Sequence, residues 1–214
     1  MKQSEHGVWL PDGEEDKIML GAGYKYQGSK LAAAMEFIPL ERRRMAVDIG
    51  AHVGLWTIQL LQRFERVECF EPVPQHLECW RKNVVDYDGR VTLHEVALGH
   101  QSNMMTKMRV ISKLSGRSRI EDCDESIEVP ITTLDSFSID QVDLIKIDTE
   151  GYEKFVIEGA ISTIQRCRPV MIVEQKEAYS GNYGLEPRSA VKLLESMGMR
   201  LRREIVGDFI LAWD

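Results

Sequence analysis

Met45-Ala46-Val47-Asp48-Ile49-Gly50-Ala51-His52-Val53-Gly54-Leu55-Trp56-Thr57 is the stretch from which the architecture can be read. Met45 to Ile49 is an apolar run broken by one acid, which suits a buried parallel strand. Gly50 and Gly54 bracket a tight turn. Leu55, Ile58, Leu61 and Phe64 then recur every third residue, as the core-facing stripe of a helix does. Strand, glycine turn and helix open a nucleotide-binding α/β unit, whose glycines let backbone approach a ligand at the strand's carboxyl end.

A dinucleotide-binding turn reads G-x-G-x-x-G and aims a helix amino terminus at a pyrophosphate. Here the spacing is Gly50-x-x-x-Gly54, His52 stands at the middle glycine's place, and Asp48 precedes the turn. A carboxylate there repels a pyrophosphate and attracts a cationic ligand, such as the ammonium and sulfonium of S-adenosylmethionine. Asp48, Gly50, Ala51, His52 and Gly54 are therefore candidate donor-binding residues, with a turn carboxylate satisfied inside the protein as the other reading of Asp48. The next strand, Val67 to Phe70, ends at Glu71-Pro72. Glu71 falls about 20 residues past the glycine turn, where this architecture puts the acid that accepts both hydroxyls of a ribose.

Length and charge bound the rest. A chain of 214 residues is long enough for one well-buried domain. A formal net charge of -7 argues against a general nucleic-acid binder, whose affinity comes largely from basic surface. It leaves a small polar acceptor open. Cys69, Cys79, Cys123 and Cys167 lack metal-type spacing, and reduced thiols in a cytoplasmic protein are the simplest account. No run is apolar enough to span a bilayer, and the N-terminus does not read as a signal peptide.

Five motifs follow one another in order: Val47 to Gly54, Phe70-Glu71-Pro72, Val96-Ala97-Leu98-Gly99, Thr133-Leu134-Asp135, and Ile145-Lys146-Ile147-Asp148-Thr149-Glu150-Gly151-Tyr152-Glu153. Together they resemble the FkbM-type methyltransferase family, over roughly residues 45–175, with Lys-Ile-Asp-x-Glu-Gly as the most specific part. The resemblance implies a class I S-adenosylmethionine-dependent enzyme that O-methylates a hydroxyl of a sugar or small natural product. It implies a doubly wound, mostly parallel seven-stranded sheet with an antiparallel C-terminal strand. It adds Pro72, Asn83 and Ala97 to the donor-binding candidates, Ala97 being small enough for an adenine to lie against backbone. His52 departs from the asparagine often found in the family.

Residues 1–44 read as an N-terminal cap segment and 45–214 as the single domain. Glycines punctuate the chain from Ile18 to Lys30, and Leu31 to Phe37 reads as a short helix stopped by Pro39. Pro74 opens a helix that carries Leu77, Trp80 and Val84 on one face. Asn103 to Val110 alternates as a strand does, with Ile127 to Leu134 as its partner, kept to an edge by Pro130. The polar segment 112–126 between them is a solvated loop or an acceptor lid. Ala178 to Glu186 reads as a loop. Pro187 begins a helix, and Met199 to Arg203 with Gly207 to Trp213 form a closing hairpin.

Val142 to Asp148 is the next parallel strand, and alternation puts Leu144, Lys146 and Asp148 on one face. Two charges on one side of a buried strand need a reason, since unpaired charges there are costly. A Lys146–Asp148 ion pair or a helix cap by Asp148 is one answer. The other is chemistry: Asp148 and Glu150 lie at the carboxyl end of a strand, where doubly wound folds hold their sites. Asp148 or Glu150 is then the base, with Lys146 orienting it or the acceptor. A second version puts Mg²⁺ on Asp148, Glu150 and Glu174 to acidify the hydroxyl. Two other functions stay open: an NAD(P)-dependent oxidoreductase, and a non-catalytic donor-binding partner subunit. A homo-oligomer is compatible with the sequence.

Overall fold

A computed structural model of the chain describes all residues except Lys17, Ile18, Leu20, Ala22, Asp86 and Asp88, and the side chains of Glu177 and Ala178. Ile18, the first residue of the glycine-punctuated stretch, thus lies outside the described residues.

Strands β1 (Lys2–Gln3) and β2 (Trp9–Leu10) pair antiparallel ahead of helix α1 (Gly28–Met35). The quoted stretch then folds as its spacing predicts. Strand β3 (Met45–Ile49) is buried at all five positions, and helix α2 (Leu55–Leu61) follows the glycine turn. Strand β4 (Arg66–Phe70) leads to α3 (Pro74–Asn83), whose proline sits where the missing N–H costs nothing. Next come β5 (Val91–His94), β6 (Ala97–Leu98), β7 (Met104–Arg109), β8 (Arg119–Ile120), β9 (Ser126–Thr132) and β10 (Val142–Ile147). Helices α4 (Glu153–Glu158) and α5 (Ile161–Cys167) precede β11 (Val170–Glu174). Helices α6 (Glu177–Ser180) and α7 (Ser189–Ser196), then β12 (Arg200–Ile205) and β13 (Asp208–Ala212), complete the order among the described residues.

The main sheet has seven strands in the order β12-β13-β11-β10-β3-β4-β5. Neighbours from β5 to β11 run parallel, and β13 inserts antiparallel between β11 and β12. Its two faces are apolar in alternation. Val47, Ile49, Ile145, Ile147, Met171 and Val173 pack with α4, α5 and α7 residues on one side. Ala46, Val67, Cys69, Leu144 and Ile172 pack beneath α1, α2 and α3 on the other.

A four-stranded second sheet, β6-β9-β7-β8, stands beside the first. It corrects one expectation. Strands β7 and β9 pair as predicted, in antiparallel orientation, yet β9 is interior, not an edge. Pro130 is tolerated because β6 is only two residues long and meets β9 at Ile131 and Thr132, past the proline. The expected loop at 178–186 also carries structure, namely α6 and a 3₁₀ turn over Gly181–Tyr183.

Helices α4 and α5 are parted at Gly159. A Cβ there would lie 1.9 Å from the Gly99 carbonyl oxygen, so helix and β6 exit touch backbone to backbone. Asp135 then caps α5 from outside, accepting from the Ser162 and Thr163 amides at 3.0 and 2.8 Å. Gly159→Ala is expected to destabilise the fold by about 1–3 kcal/mol through overpacking. A lowered urea midpoint with an unchanged slope would register it.

Candidate active site

A cavity of about 640 Å³ opens at the carboxyl ends of β3, β4, β10 and β11. Gly50, Ala51 and His52 form its shelf, Phe70, Glu71 and Pro72 one end, and Lys146, Asp148, Glu150 and Glu174 the other. Ala97 and Leu98, with Met108 and Ile120 from the second sheet, make an apolar wall.

The shelf is tightly built. A Cβ on Gly50 would lie 2.0 Å from the Asp148 carbonyl oxygen, and Gly50 has φ +76°, so only glycine joins these two strand tips. The amides of Gly50 and Ala51 donate to the Phe70 carbonyl at 3.0 and 3.1 Å, and that of Gly54 to Ala51 at 2.9 Å. The His52 amide donates to Glu71 Oε2 at 2.9 Å. These amides are spent internally and form no cradle for a pyrophosphate.

Glu71 is buried and held from three sides. Besides the His52 amide, Oε1 accepts from the Val73 amide at 2.9 Å and from His76 Nδ1 at 3.0 Å. Carboxylate oxygens have about four lone-pair sites between them, so acceptor capacity remains for ligand hydroxyls.

Asp48 does not reach the cavity, which corrects the expectation that it faces the ligand. Strand β3 runs one residue further, to Ile49, and alternation turns Asp48 beneath α2. It is fully buried, accepts from Thr57 Oγ1 at 2.7 Å and lies 3.6 Å from Lys146 Nζ. Burial raises its pKa against the opposing pull of Lys146 and Thr57. Gly54 packs under Trp80 and Val84. Asn83 bonds the Trp9 backbone and the Val53 carbonyl, stapling the N-terminal strand to the domain. Neither Gly54 nor Asn83 lines the cavity.

At the other end the expected residues converge. Lys146 sits in register beside Asp48, donates to the Gly50 carbonyl at 3.2 Å and lies 3.5 Å from Asp148 Oδ2. Asp148, Glu150 and Glu174 each offer an oxygen within 4.8 Å of the others. Burial acts to raise Asp148, but the Lys146 charge and a hydrogen bond from Glu174 hold it below the ordinary carboxylate value. Burial and then the Asp148 charge push Glu150 up to about 8, and the same causes lift Glu174 to about 9. Lys176 reaches Glu174 at 3.0 Å, and Lys30 pairs with Asp208 beside it. Among the described residues Glu150 is the member of the trio with no ion pair to a lysine; it is 7% exposed, with φ +54° and Oε2 unbonded.

Sequence reasoning missed His76, Glu14, Ser115, Lys30 and Lys176. His76 stands five positions past Glu71, in the first turn of α3, and that spacing was the available signal. Glu14 meets Ser115 across the chain, which no local pattern reveals.

The Methyltransferase FkbM domain family matches residues 48–201. Among solved structures, an FkbM methyltransferase from Methylobacillus flagellatus KT is similar at 17% identity and TM-score 0.54, over 94% of this chain. The chain spans 56% of that protein's length. A precorrin-6y C5,15-methyltransferase from Geobacter metallireducens GS-15 is similar at 15% identity and TM-score 0.53, over 99% of this chain and 100% of that one. A Streptococcus pneumoniae protein provisionally assigned as a tRNA (m1A22) methyltransferase, in complex with S-adenosyl-L-methionine, is similar at 12% identity and TM-score 0.51, over 87% and 72%. At these identities the likeness carries the class I methyltransferase fold. No curated protein matches the chain, and no helix among the described residues is long and apolar enough to cross a membrane.

Proposed function

The chain belongs to the FkbM methyltransferase domain family, and from that premise we propose that it transfers a methyl group from S-adenosylmethionine to a hydroxyl of a sugar or small natural product. One observation carries the reading: a single cavity runs from a ribose-type carboxylate, Glu71, across the glycine shelf to Glu150. The residues fit the donor. Glu71 keeps acceptor capacity for a ribose diol, and the wall of Ala97, Leu98 and Met108 suits an adenine.

When bound, the donor supplies an electrophilic methyl group on a sulfonium. Glu150 would accept the proton of an acceptor hydroxyl held beside that methyl group, the transfer leaving S-adenosylhomocysteine as the other product. Among the carboxylates Glu150 has the better credentials for a base, because a pKa near the working pH balances availability against driving force. Asp148, held low by Lys146, is a weaker base and keeps the far end of the cavity negative. Holding the two reactants in line would contribute up to ~7–11 kcal/mol of barrier lowering.

Titration calorimetry tests the reading: S-adenosylmethionine or S-adenosylhomocysteine is expected to bind, and NAD(P) is not, since the shelf amides are already donated. Binding of NAD(P) alone would overturn it in favour of an oxidoreductase. Donor binding with no methylated small molecule detectable by mass spectrometry in a producing cell would favour a partner subunit.

A Mg²⁺-assisted version would use Asp148, Glu150 and Glu174. Lys146 and Lys176 already supply positive charge to two of them, so turnover is expected to survive EDTA. Loss of turnover in EDTA, restored by added Mg²⁺, would reverse that preference.

A further inference from the structure

His52 has φ +50°, a backbone state in which asparagine is at least as comfortable. What histidine adds is reach. Its Nε2 lies 2.8 Å from Ser115 Oγ, at the head of the 3₁₀ turn Ser115–Arg117. Ser115 in turn donates its hydroxyl, and its amide at 3.0 Å, to Glu14 Oε2. Glu14 is 1% exposed, and its other oxygen accepts from the Glu15 and Asp16 amides at 2.9 and 2.8 Å. A further backbone bond, from the Glu15 amide to the Lys113 carbonyl at 2.8 Å, runs alongside.

Because the Ser115 hydroxyl donates to Glu14, its oxygen accepts from His52, and the imidazole carries its proton on Nε2. Burial and the neighbouring His76 hold His52 far below its ordinary pKa, so the ring is neutral here. Three segments distant in sequence thus meet in one chain of bonds: the N-terminal cap, the loop at 111–118, and the shelf. Asp16 and Met19 from the cap, with Ser115 to Ser118 from the loop, form the outer wall of the cavity.

We propose that Glu14, Ser115 and His52 form a clasp holding the cap and the 111–118 loop shut over the donor pocket. His52 is its floor-side anchor. Since the His52 amide also holds Glu71, the clasp is joined to the ribose-binding carboxylate, and Glu14 and Ser115 act as positioning residues through His52. The proposal rests on the donor reading above, but its first test does not.

Hydrogen exchange on the ligand-free protein reads the clasp directly. His52→Asn keeps the turn and loses the reach; it is expected to raise exchange at 111–118 roughly tenfold, the worth of one net hydrogen bond. Ser115→Ala is expected to do the same, and the double variant little more. Stopped-flow binding of S-adenosylhomocysteine is expected to show faster association and faster dissociation in His52→Asn, since a gate that opens more often admits and releases more quickly. Parental exchange rates in both single variants would overturn the clasp. So would a change confined to dissociation, which would make His52 an ordinary ligand contact. If the parent fails to bind S-adenosylhomocysteine, the donor reading falls, and the exchange experiment still decides the clasp. Glu14→Gln, which removes charge with little change in shape, is expected to follow the other variants; parental behaviour there would also count against the proposal.

Discussion

Glu150→Gln is expected to lower kcat by about 10²–10⁴-fold, the usual worth of a positioned general base, while donor affinity stays within a few fold. Glutamine preserves volume and cannot accept the proton. Asp148→Asn is expected to cost less in kcat, because Asp148 is bound to Lys146 and acts on its neighbours by charge. It also lowers the Glu150 pKa, since the Asp148 charge is one of the forces raising it. The parent's rate should climb with pH through about 8 and then level, as Glu150 loses its proton. That rising limb should move to lower pH in Asp148→Asn and vanish in Glu150→Gln. Equal turnover by parent and Glu150→Gln on an identified acceptor would remove Glu150 from the chemistry.

Gly50→Ala carries the largest expected loss of stability. An added Cβ would meet the Asp148 carbonyl oxygen at 2.0 Å, and the residue sits at φ +76°. Left-handed backbone costs a non-glycine residue roughly 1–2 kcal/mol, and forcing packed backbone apart typically adds about 1–3 kcal/mol. Against a total of about 5–15 kcal/mol the sum is a large share. Gly184 supplies the control, with φ +66° and open space around its missing Cβ. Gly184→Ala should therefore show the backbone cost alone. Urea midpoints measure both; if the two variants lose equal stability, the strand tips are free to part and the shelf is less rigid than its geometry says.

The fold was legible because local patterns and global topology agree. Five buried residues, a glycine turn and a helical stripe announce β3 and α2, and the acid-proline pair marks the tip of β4. The carboxylates of the far end were legible too, since Asp148 and Glu150 follow a strand run that ends where sites form. Asp48 was misread although the signal existed: Ile49 continues the strand, so alternation turns Asp48 away from the tip. The pairing of Lys146 with Asp48 depends on the register between β10 and β3, which one sequence does not reveal. Asn83 reads as a ligand contact until the Trp9 backbone is seen against it, a contact set by tertiary packing. The interior position of β9 depended on the shortness of β6, visible only once the strands are paired.

Lys30, Glu174 and Asp208 bring α1, β11 and β13 together at one rim of the cavity, with β13 inserted between strands that precede it. Contacts between such distant segments carry a high loop-closure cost and lag behind local ones in folding. During refolding the Glu71 end of the cavity, drawn from β3 and β4, should therefore mature before the rim does. Nucleoside capture would then recover ahead of turnover, and a refolding intermediate able to hold the donor yet unable to use it is the expected kinetic trace.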